Sequence, residues 1–125
     1  MNKKVERKFK KGDKVLVRAI VETKGEHLSA DINWSKEIVL REISKSEDYS
    51  IPRPFIKCIL NRPFLGLVVG WSTRISGLYR IGDGGENPGD IVNPFTHRVL
   101  LVCPMTSERW QPPIACLEED LDKLS

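Results

Sequence analysis

The sequence predicts a mainly β domain: a strongly bent antiparallel sheet closing into a small barrel, with helix confined to short turns. Three observations point there. Residues 14 to 21 and 66 to 74 alternate with the period of a strand, and turn signals separate most of the segments between and beyond them. The chain is also of single-domain size, with 125 residues, of which 40% are hydrophobic and 30% charged. One core of that size buries roughly two-thirds of the surface the unfolded chain exposes, without disulfides or a structural metal.

In Lys14-Val15-Leu16-Val17-Arg18-Ala19-Ile20-Val21, the residues Val15, Val17, Ala19 and Val21 share one face, and the stretch is opened by Gly12-Asp13. Thr23-Lys24-Gly25-Glu26 reads as a turn and His27 to Trp34 as a weaker strand. In Glu37 to Ile43 the spacing of Val39 and Ile43 also suits a helix, and the β-branched content favours a strand. Ser44 to Ser50 is polar and predicts a loop.

Pro-Phe occurs at Pro54-Phe55, Pro63-Phe64 and Pro94-Phe95, each time ahead of an apolar run. Proline lacks a donor and is tolerated at a strand's first position, so each pair predicts a strand entry. From Gly66 to Arg74, alternation places Leu67, Val69, Trp71 and Thr73 on one face. Ser76-Gly77 then predicts a turn into a short antiparallel partner, Leu78 to Ile81. Gly82 to Asp90 has the composition of an exposed hairpin loop, lacks the lysine and order of a phosphate-cradling loop, and does not space its acids for calcium. Thr96 to Cys103 is apolar on both faces, as for a strand covered on both sides. Trp110 to Cys116 reads as a short returning strand, and Leu117 to Leu124 as one or two helical turns that dock Leu117, Leu121 and Leu124.

The opening Phe9-Lys10-Lys11-Gly12-Asp13-Lys14-Val15-Leu16-Val17, the later Gly66-Leu67-Val68-Val69-Gly70 and the ending Ile114-Ala115-Cys116-Leu117-Glu118-Glu119-Asp120-Leu121 together resemble the first two strands and the closing turn of an SH3-like small barrel of the Tudor or KOW kind. The resemblance covers about half the chain, and residues 23 to 65 stand where such barrels have a short loop, which implies an inserted hairpin or an enlarged barrel. It implies a binding module, since domains of this group bind RNA, DNA, methylated or proline-rich peptides, or protein surfaces. Fold alone does not choose among these.

Charge alone suits a solubilising terminus at least as well as nucleic acid, and the arginines near aromatic rings in the strands tip the reading towards nucleic acid. The formal net charge of +3 conceals a leader, residues 1 to 18, at +6 and a remainder at −3. The division is therefore a basic arm, residues 1–11, and a single β-barrel-like domain, residues 12–125. Each lysine or arginine that neutralises a phosphate releases a condensed counterion, so such an arm suits the backbone of RNA or DNA. The expected contacts are Lys3, Lys4, Arg7, Lys8, Lys10 and Lys11, joined by Arg74 and Arg80 in strands near Trp71 and Tyr79. The alternative is a protein-interaction module, a small regulator or inhibitor of a larger assembly, with Trp34, Trp71 or Trp110 anchoring the partner.

Enzymatic, cofactor and metal functions find no motif. There is no Gly-x-Ser-x-Gly and no His-Glu-x-x-His; Cys58, Cys103 and Cys116 form no Cys-x-x-Cys, and His27 and His97 have no ligand at metal spacing beside them. The longest apolar run, Val99 to Cys103, is too short to span a bilayer. The basic start lacks the apolar core of a signal peptide, so the expectation is a cytoplasmic domain with reduced thiols and no membrane partner.

Overall fold

Gly12 adopts φ +91°, a conformation that costs a residue without Cβ nothing, and this turn delivers the chain into the first strand. In the computed structural model, residues 8–23, 32–43, 50–81, 89–105 and 112–124 are described. They form β1 (Lys14–Thr23), β2 (Trp34–Arg41), β3 (Ser50–Arg53), β4 (Phe55–Ile81), β5 (Gly89–Pro104), β6 (Ile114–Cys116), a 3-10 turn at Glu118–Asp120, and β7 (Leu121–Lys123). All the pairings are antiparallel. The mainly β class therefore holds, and the ambiguous stretch after Trp34 is a strand.

The sheet runs β6-β5-β4-β1-β7, with β2 and β3 also hydrogen-bonded to β4. Among the described residues no ladder joins β6 to β7, so the sheet is open there, where the sequence predicts closure. β4 is 27 residues long and bends through register breaks. On one stretch residues 60–63 stand opposite Arg18 alone, because Val17 pairs with Phe64 and Ala19 with Ile59. A second break lies between Val68 and Gly70, and a third between Ser76 and Leu78. Such bulges increase local twist and bend the strand. The far end of β4, Gly77 to Arg80, pairs with Arg53 to Ser50, the strand just before its own start.

These breaks correct several expectations. Ser76-Gly77 makes no turn, and Leu78 to Ile81 continues β4, with β5 and β3 as its partners. Pro54 does precede a strand, but Pro63 and Pro94 lie inside β4 and β5. Both sit where the ladder shifts register, and a residue without an N–H costs least there. Leu67 and Val69 do not face the core. Val68, at 1% exposure, does, and the bulge at Val69 resets the alternation so that Trp71 packs against the core as well. At the end of the chain the helical turn spans only Glu118–Asp120; Leu121 is buried in a strand and Leu124 is exposed.

The main core gathers Phe9, Val15, Val17, Ile20, Ile56, Cys58, Leu60, Val68, Leu100, Val102, Cys116 and Leu121. A second cluster holds Val21, Phe55, Val99 and Ala115, with Leu101 and Leu117 against it. Alternate residues of β5 thus enter different clusters, Leu100 and Val102 one and Val99 and Leu101 the other, which is the two-sided burial its sequence predicts. The inserted residues 23–65 supply β2, β3 and the first part of β4. The turn at 23 to 26, the weak strand at 27 to 34, the loop at 44 to 50 and the hairpin loop at 82 to 90 lie mostly outside the described residues. Of those described, Thr23 ends β1, residues 32 and 33 precede β2, Trp34 opens it, and Ser50, Gly89 and Asp90 belong to strands β3 and β5 rather than to loops.

Candidate nucleic-acid interface

Phe9 fixes the basic segment to the body. Its ring is 1% exposed and belongs to the main core, while Lys8, Lys10 and Lys11 on either side are exposed. Backbone bonds complete the attachment: Gly12 N donates to Val68 O at 2.7 Å, and Val68 N to Asp13 O at 2.9 Å. Asp13 accepts from Lys10 N at 2.9 Å and from Lys123 Nζ at 3.4 Å. The Lys10 N–H chiefly, with Lys123 assisting, holds its carboxyl below the usual range against the opposing effect of burial.

The lysines are thereby sorted. Arg18 Nε meets Asp122 Oδ2 at 3.2 Å, and Lys57 Nζ lies 3.1 Å from Glu119 Oε1 and 3.2 Å from the Asp120 carboxylate. Burial acts to lower the Lys57 pKa, but the hydrogen bonds to Glu119 and Asp120 carry it above its ordinary value. The C-terminal acids thus hold cations of β1 and β4. Lys10, Lys11 and Lys14 make no ion pair among the described residues, and the Lys8 ammonium sits 5.5 Å from the Phe9 ring centroid.

Of the residues singled out in the sequence, Lys8, Lys10 and Lys11 flank the Phe9 anchor, and the Lys11 stem passes close to Gly70, next to Trp71. Trp71 is half-buried on the core rather than presented as a free ring, and Arg74 is half-buried three residues on, its Nη1 donating to Ser72 Oγ at 3.4 Å. Trp34 is 38% exposed on β2, across from Leu60 and in another part of the sheet from the arm's attachment. Lys3, Lys4, Arg7 and Trp110 lie outside the described residues, as does the side chain of Arg80, whose backbone is in β4.

A second polar group went unsignalled. His97 on β5 stacks on Phe55 and hydrogen-bonds Ser76, and the Arg41 guanidinium lies 3.7 Å over the Phe95 ring. Arg41 pairs with Phe55 across β2 and β4, and Phe95 and His97 share a face of β5, so the two contacts stand side by side and tie the start of β4 to β5. Only the i, i+2 spacing of Phe95 and His97 could have hinted at this. Ser76 is 0% exposed, which keeps its hydroxyl from any substrate despite the histidine beside it. Among the described residues no group of three or more His, Cys, Asp or Glu is placed to hold a metal.

Compared with family models, curated proteins and solved structures, the chain matches none.

Proposed function

We propose that the chain is a non-catalytic binding module that holds the phosphate backbone of RNA or DNA through Lys8, Lys10, Lys11 and Lys14, with Lys3, Lys4 and Arg7 extending the same positive strip in sequence. The clustering of charge carries this reading: Arg18, Lys57 and Lys123 are matched by carboxylates, whereas the lysines around Phe9 lie close together in the chain, exposed, without an ion pair among the described residues, beside a ring fixed in the core. Phosphate contacts position a protein without reading bases, so binding is insensitive to sequence. Trp71, held against the core, contributes stability rather than stacking.

An SH3-like small barrel, open at one seam, is the architecture we favour for this module. It is supported by the self-pairing of the β3–β4 segment and by the proximity of β6 to β1. Three free thiols support a reducing compartment such as the cytoplasm.

Nuclease-treated, repurified protein titrated with labelled RNA and DNA tests the proposal. Four phosphate contacts on a duplex imply an affinity loss of roughly 100-fold between about 50 and 200 mM salt. Absence of binding at the lower salt would remove the reading.

A further inference from the structure

The outward faces of β1, β4, β5 and β7 carry an apolar strip. Cross-strand partners share a face, and the registers set two rows. Leu124, whose N donates to Lys14 O at 2.9 Å, begins one row, which continues through Lys14, Leu67 and Cys103. In the next, Asp122 is followed by Leu16, Leu65 and Met105, the last donating its N–H to Leu65 O at 2.9 Å. The opposite face of these strands is the core, with Val15, Val17, Val68 and Val102 each at 1% exposure or less. On the outer face Leu65 is 41%, Met105 44% and Leu124 41% exposed. Four strands make a face about 15 Å wide.

Its charges are unequal. Asp122 is occupied by Arg18 at 3.2 Å, whereas Lys14, between Leu124 and Leu67, has no ion pair among the described residues. A cover made only of apolar groups would strip water from that ammonium without compensation. A nucleic acid would leave the leucines and Met105 unmatched. A second copy would bring the same excess of positive charge.

We propose that this face docks a protein segment bearing a carboxylate between apolar side chains, the carboxylate meeting Lys14 and the apolar groups covering Leu16, Leu65 and Met105. It is a second surface that shares Lys14 with the phosphate-binding strip and is otherwise built from residues outside it.

The test pans a random peptide display library against the folded full chain and titrates the best synthetic peptide calorimetrically. Recovered peptides should carry Asp or Glu flanked by apolar residues. Their affinity should fall at least about tenfold for Lys14→Glu and return when the peptide's acid is replaced by lysine. Leu65→Asp and Met105→Glu should abolish binding, and Ile75→Asp, exposed elsewhere on β4, should not, with each variant's fold verified by circular dichroism. Failure to recover binders, binders lacking an acid, or insensitivity to both Leu65→Asp and Met105→Glu would overturn the proposal. So would a wild-type dimer that Leu65→Asp dissolves, since the occupant would then be a second copy. Loss of RNA binding in Leu65→Asp would likewise assign the face to nucleic acid.

Discussion

The His97 imidazole lies parallel to the Phe55 ring, with centroids 3.9 Å apart and planes 7° from coplanar, while its Nε2 is 2.7 Å from Ser76 Oγ. Burial, and secondarily the charge of Arg41, lower the His97 pKa below its ordinary 6.5. The unfolded chain therefore binds the proton first as pH falls, and the folded state loses stability from about pH 6.5 down to the lowered value. Urea denaturation between pH 7.5 and 5 should show stability falling with acid, and His97→Gln should flatten that slope. An unchanged slope in the variant would show that His97 is not responsible.

Replacing Lys8, Lys10, Lys11 and Lys14 with Gln should weaken nucleic-acid binding across all sequences alike and flatten its salt dependence, with the thermal midpoint almost unmoved. Binding titrations at two salt concentrations check this. Phe9→Ala is the contrasting variant. It deletes a core ring and should cost about 3–5 kcal/mol of stability in a denaturant titration.

Trp71→Ala should likewise reveal itself in folding. A ring packed on the main core predicts a stability loss approaching about 3–5 kcal/mol. Affinity measured on the folded fraction should stay near that of the wild type. A stacking platform would give the reverse, a binding loss of about 1–3 kcal/mol with folding intact.

Gly66→Ala tests the close approach of β4 and β5. A Cβ there would overlap Val102 Cγ1 and come within 3.1 Å of the Cys103 carbonyl oxygen. We expect a loss of about 1–3 kcal/mol in equilibrium unfolding, with non-additive coupling to Val102→Ala because the two changes share one space. Wild-type stability in Gly66→Ala would contradict the packing.

The thiols should react in a fixed order. Burial first, with Glu22 and Glu37 adding to it, pushes Cys58 up to about 11, and burial with Asp120 pushes Cys116 up to about 12. Cys103 is half-buried at the sheet surface. A disulfide reagent at mildly alkaline pH should modify Cys103 in the native protein and reach Cys58 and Cys116 only on unfolding. Two or three fast native thiols would count against this burial.

How far the sequence reveals the molecule depends on where alternation is unbroken. Val15, Val17, Ala19 and Val21 are all buried, but not on one face, because the β1–β4 ladder shifts register between Val17 and Ala19. Val15 and Val17 face the main core, which beyond that shift takes Ile20, while the second cluster takes Val21. At Val69 and at Asn61 to Pro63, an extra residue or three changes which side faces inward, and no local pattern announces it. The lysines of the candidate interface were legible as charge. Their attachment through Phe9 and the pairing of Lys57 with Glu119 join residues far apart in the chain, so those contacts follow from the fold alone.

Because Arg53 pairs with Gly77, β4 returns to its own beginning within a short span of chain. Joining β1 to the closing segment instead requires residues 101 apart, as in the bond from Arg18 Nη2 to Glu119 O. Closing the smaller loop costs less entropy, so the β3–β4 curl with β5 is expected to organise early and the docking of β7 on β1 to come late. The order reverses on opening. Amide exchange at Leu121 to Lys123 should then report openings of lower free energy than the centre of β4, and the outer apolar strip would lose its Leu124 edge before any strand of the core separates.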